Sequence, residues 1–262
     1  MTHSPAHVTA TLPLVLKSLR LSHMNQQWQI LEAKAQKQGW SYGQFLMSLC
    51  EYEQQQRYQR RIQRYLKDAK LPQSKSLANF DFACCPTLDQ ATVLNLSQDS
   101  SWLKRGENLL VFGPSGVGKT HLAASIGRSL IELGQRVKFE SATLLVQRLQ
   151  SAKAQLQLPS ALTKLDKYDL LIIDDIGYVQ KSEAETSVLF ELIAHRYEVK
   201  SLLITSNHVF SDWDSIFADS TMAVAAIDRL VHHAVILEIK ADSFRQKAAQ
   251  HRLSHSDSEG TT

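Results

Sequence analysis

Residues Gly113-Pro114-Ser115-Gly116-Val117-Gly118-Lys119-Thr120 match the pattern G-x-x-x-x-G-K-[ST] in full. The chemistry that these residues can do is phosphate binding. Glycines let the backbone wrap close to an anion with its N–H groups turned inward. A helix opening at Lys119 would add the positive end of its dipole. Lys119 can reach the β- and γ-phosphates of a nucleoside triphosphate, taken here as ATP, and the Thr120 hydroxyl can ligate Mg²⁺. His121 follows in the first helical turn and belongs to the same expected binding set.

A phosphate loop of this kind needs an acid on its metal side. Leu170-Leu171-Ile172-Ile173-Asp174-Asp175 supplies two at the tip of an apolar run. Asp174 is expected beside Mg²⁺ and Asp175 beside the attacking water. Alone, a double aspartate after a strand can equally be a solvated turn. Asn207 ends another apolar run, Leu202–Asn207. Its amide could hold water or γ-phosphate, and an Asx turn leaving the strand is the alternative that its residue type alone favours.

Elements must hold these groups. Short apolar runs at Asn108–Phe112, Val137–Glu140, Asp169–Ile173, Ser201–Thr205 and Ala234–Ile239 read as strands. Helical patterns separate them at Lys119–Leu133, Thr143–Leu149, Ser160–Leu165, Ser182–Val199, Ser211–Phe217 and Met222–Leu230. Alternation of this kind predicts a parallel sheet covered on both faces, with ligand at the carboxyl ends of its strands. Before residue 70 the chain reads as all helical. Ser41 with Gln44 is a capping box opening a helix to about Ala69. The expected fold is therefore α/β, a P-loop domain over 83–250 behind a helical N-terminal domain over 1–70. Residues 71–82 read as a linker and 251–262 as a disordered tail.

Charge divides the same way. Residues 1–79 carry eleven Lys and Arg against four Asp and Glu, while the remainder carries eighteen against twenty-two. Arg57, Arg60, Arg61, Arg64 and Lys67 recur at helical spacing, a candidate phosphate-facing stripe, although a solvated helix face is the plainer reading. The three cysteines, Cys50, Cys84 and Cys85, show no C-x-x-C spacing and indicate neither a zinc site nor a disulfide scaffold. No apolar run reaches the roughly 18 residues of a membrane span, and the first residues lack the order of a signal peptide. A cytoplasmic protein without membrane partners is the expectation.

Together these residues resemble the IstB-like ATP-binding proteins, helpers of insertion-sequence transposition. Leu14–Leu21, Gly39–Leu46, Phe80-Asp81-Phe82, Gly106–Asn108, Gly113–Ala123, Leu170–Gly177, Thr205–Asn207, Asp228-Arg229-Leu230 and Asp242–Arg245 all have counterparts. The ATPase core is similar to the helicase loader DnaC and the initiator DnaA, all AAA+ proteins. The resemblance implies that Asn207 senses γ-phosphate, that Arg229 is an arginine finger inserted into a neighbouring subunit's site, and that Arg245 is a second sensor. It implies an ATPase that self-assembles into a homo-oligomer on duplex DNA and recruits a transposase. The basic stripe then becomes a DNA contact of low sequence specificity, with Arg148, Lys153 and Lys164 as further candidates. Phe80 and Phe82 are candidates for the adenine pocket. Many AAA+ proteins carry Glu at the position of Asp175, and the shorter acid predicts slow hydrolysis, which the resemblance implies is coupled to DNA. A DnaC-like helicase loader is the alternative function. A small-molecule kinase fits less well, since Arg229 and Arg245 would have no subunit-crossing role.

Overall fold

The computed structural model describes residues 5–178, 182–208, 212, 220–241 and 243–244. It divides into two compact units between Arg64 and Tyr65. The expected helix at Ser211–Phe217, apart from residue 212, lies outside the described residues, as do Arg245 and the tail.

The smaller unit holds α1 (Pro5–Ser18), α2 (Ser22–Gln38) and most of α3 (Tyr42–Ala69). The division thus falls inside α3 rather than after it. Met24, Trp28 and Leu49 form its core, with Leu12, Leu16, Leu31 and Phe45 packed around them. The Ser41–Gln44 capping box is formed in both directions, Gln44 N–H to Ser41 Oγ at 3.2 Å and Ser41 N–H to Gln44 Oε1 at 2.8 Å. Helix α2 follows Leu21, which has no side chain able to cap it. Buried Glu53 of α3 does that work, its Oε2 accepting the N–H groups of His23 and Met24 at 2.8 Å each.

The larger unit carries β1 (Asn108–Phe112), β2 (Val137–Ser141), β3 (Leu170–Asp174), β4 (Ser201–Ser206) and β5 (Ala234–Glu238). All pairs are parallel and the order is β2-β3-β4-β1-β5. Strands β1, β3 and β4 are buried along their whole length, which is why their sequences run apolar without alternation. On one face, Leu110, Phe112, Leu171, Ile173, Leu202 and Ile204 share a core with α7 (Ala142–Ala154), α8 (Leu158–Leu165), α9 (Glu183–Arg196) and α10 (Ser220–Val231). Helix α6 (Lys119–Glu132) covers the other, where Gly127 meets Ile172 so closely that an added Cβ would lie 2.7 Å from its Cδ1.

Differences from the expected elements have local causes. Helix α7 runs a turn longer than expected because Leu145, Val146 and Leu149 bury one face while a polar turn continues it. Helix α9 stops at Arg196, and Glu198 beyond it takes a left-handed φ of 56°. Two helices were not expected, α4 (Gln90–Gln98) and α5 (Ser101–Lys104). Asp89 caps α4 by accepting from Ala91 and Thr92, and α4 packs against α6. The expected linker runs along α6: Lys75 O accepts from Arg128 Nε at 2.9 Å, and Leu77–Asn79 form a 3₁₀ turn.

Candidate functional site

The sheet order puts the carboxyl ends of β1, β3 and β4 side by side, and the chemistry-bearing residues emerge there. The phosphate loop leaves β1 and enters α6. Gly113 has φ 152°, and a Cβ on it would lie 2.4 Å from Ile239 O. Gly118 caps α6 at φ 98°, left-handed backbone that favours glycine.

Lys119 is buried and folded across its own loop, its Nζ donating to Gly113 O at 2.8 Å and Pro114 O at 2.9 Å. Thr120 Oγ1 donates to Asp174 Oδ2 at 2.9 Å. Thr205 Oγ1 donates to Asp174 Oδ1 at 2.7 Å and accepts Asp175 N–H at 2.9 Å. One hydrogen-bonded chain therefore links the loop, β3 and β4. Burial pushes the Asp174 carboxyl above its ordinary range, and the Asp175 charge adds to this. The Thr205 and Thr120 hydroxyls and the Lys119 charge oppose it. Asp175 leaves the strand at φ 58°, a left-handed conformation that short Asp tolerates better than most residues.

Asn207 follows β4. The turn there is closed by Ser206, whose Oγ accepts His208 N–H at 3.0 Å. Asn207 Oδ1 is buried without a hydrogen-bond partner. It lies over Gly177, where an added Cβ would be 2.0 Å away.

Beside the loop is a cleft of about 500 Å³, lined among others by Lys75, Asn79, Phe80, Asp81, His121 and Phe244. Phe80 lines it and also packs on Gly118, while Phe82 supports Phe80 edge-on at 4.9 Å. Burial lowers the His121 pKa below its ordinary value, partly offset by the bond of its Nε2 to Ser76 O at 3.1 Å. Phe244 N–H donates to Gly116 O at 3.1 Å and brings the C-terminal segment onto the loop.

The remaining candidates are scattered. Arg229 donates to Ala225 O at 2.8 Å within α10 and lies 5.2 Å from the Phe190 ring centroid. Arg57, Arg60, Arg61 and Arg64 line one groove of about 320 Å³, joined by Arg20, which helical spacing along α3 could not reveal. Lys67 lies beyond the division of the units. Arg57 differs from its neighbours, since its Nε bonds Glu53 Oε1 at 2.7 Å. Arg148 and Lys164 line a second basic cleft with Lys70, Lys138 and Lys167. Lys153 instead bonds Ser187 Oγ at 2.9 Å and Glu191 Oε1 at 2.7 Å, tying α7 to α9.

A parallel sheet in this order, with a phosphate loop after β1 and an aspartate pair after β3, defines a P-loop nucleotide-binding fold of the AAA+ kind. Residues 14–252 match the family IstB-like ATP binding protein, and the chain belongs to that family. It is 48% identical over 246 residues to an insertion-sequence ATP-binding protein of Sinorhizobium fredii, covering 94% of this chain and 83% of that one. It is 37% identical to an insertion-sequence ATP-binding protein of Pseudomonas aeruginosa, covering 90% and 89%. Solved structures give the fold. AMPPCP-bound DnaA from Aquifex aeolicus superposes with a TM-score of 0.55 at 21% identity, over 71% of this chain and 56% of that one. The DnaC helicase loader gives 0.50 at 23% identity, over 57% and 87%.

Proposed function

We infer that this protein is an ATP-hydrolysing transposition helper that assembles on duplex DNA with little sequence preference and recruits a transposase. The observation that carries the reading is the chain Thr120–Asp174–Thr205–Asp175, which joins a phosphate loop to a paired-acid strand in a member of an insertion-sequence family.

Lys119 turns from Gly113 O and Pro114 O onto the β- and γ-phosphates, and the α6 N-terminus offers its N–H groups to the same anion. Phe80, His121 and Phe244 flank the base or ribose. Thr120 and Asp174 present oxygen donors at 2.9 Å from each other, and the Asp174 carboxylate is buried, a set that fits a hard divalent cation. Mg²⁺ held there would neutralise phosphate charge. Asp175 orients the attacking water, and Asn207 presents its amide to the γ-phosphate. Arg229 stabilises the developing charge in the site of an adjacent subunit, so complete sites exist only in an oligomer. Arg245 is proposed as a second contact to nucleotide. In the smaller unit, Arg60, Arg61 and Arg64 contact DNA phosphates, with Lys67, Arg148 and Lys164 as further contacts. Arg57 and Lys153 serve their intramolecular pairs first. Hydrolysis resets the assembly, slowly because Asp175 is short.

Size analysis of the full chain with duplex DNA, with and without ATP, tests this. Assembly that requires both is expected. A monomer under every condition overturns the reading, and capture of a replicative helicase without assembly on DNA replaces it with the helicase-loader function.

A further inference from the structure

At the end of the sheet opposite the phosphate loop, the turn before β4 meets the turn before β5. There Glu198, His232 and His233 converge, one donor atom from each lying within 4.8 Å of the others. Glu198 Oε1 is 3.7 Å from His232 Nδ1 and 3.5 Å from His233 Nε2. Ligands bound at about 2.0–2.1 Å around a tetrahedral zinc ion stand roughly 3.3 Å apart, so two edges of such a shell are nearly in place.

The backbones carrying these side chains are fixed. Glu198 holds its left-handed conformation against Gly106, where an added Cβ would be 2.8 Å from the Glu198 carbonyl carbon. His233 O accepts Asn108 N–H at 2.7 Å, and His232 N–H donates to Asp228 O at 3.0 Å. The Tyr197 hydroxyl lies 2.7 Å from His232 Nδ1. That hydroxyl occupies the nitrogen that faces Glu198, so it turns aside when the imidazole takes a metal. The side chains are about half exposed, at 52%, 51% and 47%, so water can reach them and complete a shell. Exposed His–Glu ion pairs by themselves add little stability. That gives no reason for two imidazoles, tilted by 42° with 3.9 Å between centroids, to share one carboxylate.

We propose that Glu198, His232 and His233 bind one zinc ion, with water as the fourth ligand. The metal clasps the α9–β4 turn to the α10–β5 turn and so fixes the end of α10. Imidazole and carboxylate donors with an open position suit zinc.

The test is titration of the metal-free full chain with zinc alone, by calorimetry and by thermal unfolding. One zinc per chain and a rise in Tm are expected. Glu198→Gln, and His232→Ala with His233→Ala, should weaken binding by about 10-fold or more. They should leave the metal-free Tm unchanged, because the side chains are exposed. His195→Ala should bind like the parent, since His195 faces Asp166 at 2.9 Å elsewhere. No zinc bound by the parent, or equal affinity in the Glu198 and double-histidine variants, overturns the proposal. It stands or falls independently of the DNA-binding role.

Discussion

The Thr205 hydroxyl donates to Asp174 Oδ1 at 2.7 Å while accepting the Asp175 N–H at 2.9 Å. A single side chain on β4 therefore aims the Asp174 carboxylate and fixes the backbone of Asp175. Thr205→Val keeps the shape and removes both bonds. Partners that orient a reacting group are worth about 10–100-fold in activity. Steady-state hydrolysis should fall by that amount, with stability lower by about 1–2 kcal/mol. Hydrolysis at the parent rate would show that Asp174 needs no such orientation.

Gly177 and Asn207 offer a test of the γ-phosphate role that leaves Asn207 itself unchanged. Gly177→Ala places a methyl where Asn207 Oδ1 now lies, 2.0 Å away, so the amide must move. Misplacement by about 1 Å can cost roughly 100-fold in rate. Hydrolysis should drop on that scale while ATP affinity, measured by fluorescent-nucleotide titration, stays near the parent value. If both parameters hold, Asn207 does not touch the reaction.

These two residues also mark the limit of what the sequence discloses. The phosphate loop and the Asp174–Asp175 pair were legible because their chemistry is written in contiguous residues, and the buried parallel strands showed in unbroken apolar runs. Thr205 acts only because β4 lies beside β3, and Gly177 matters only because Asn207 folds over it. Phe244 reaches the loop through a single backbone hydrogen bond. Helix α4 was hidden because Asn95, Ser97 and Gln98 interrupt its apolar spacing. Arg57 looks the same as Arg60 in the sequence, and its i,i+4 pairing with a buried Glu53 and its bond to Arg20 O separate them.

Asp174 should make the unliganded fold less stable, as buried charges built for a ligand do. Its folded pKa lies above the ordinary value of 3.8, chiefly through burial. Its contribution to the fold is therefore full below 3.8 and disappears as pH rises through the raised folded value. Asp174→Asn removes that dependence. The nucleotide-free variant should melt higher than the parent at neutral pH, and the difference should vanish in acid. The same variant should lose hydrolysis and gain no Tm from Mg²⁺-ATP, whereas the parent does. A variant less stable than the parent at neutral pH would contradict the buried-charge account.

Glu53 gives the opposite sign. Burial acts to raise its carboxyl, but the Met24 N–H, the Arg57 guanidinium and the His23 N–H outweigh it and hold the pKa below the ordinary 4.5. The stability it supplies is present above 4.5 and disappears as pH falls through the lowered folded value. Glu53→Gln should cost about 1–3 kcal/mol near neutral pH, read by denaturant unfolding, and progressively less in acid. Arg57 is half exposed at 53%, so solvent screening reduces its pair, and Arg57→Ala should cost about 1 kcal/mol. This decides how the proposed DNA interface must be probed. Charge reversal at Arg57 puts a second carboxylate beside Glu53 and would weaken binding by damaging the fold. Arg60→Glu with Arg61→Glu avoids that pair. It should leave the unfolding transition in place, lower duplex affinity and flatten the salt dependence by about one unit of slope for each DNA phosphate no longer neutralised. Unchanged affinity in a normally folded double variant would remove the α3 stripe from the DNA interface.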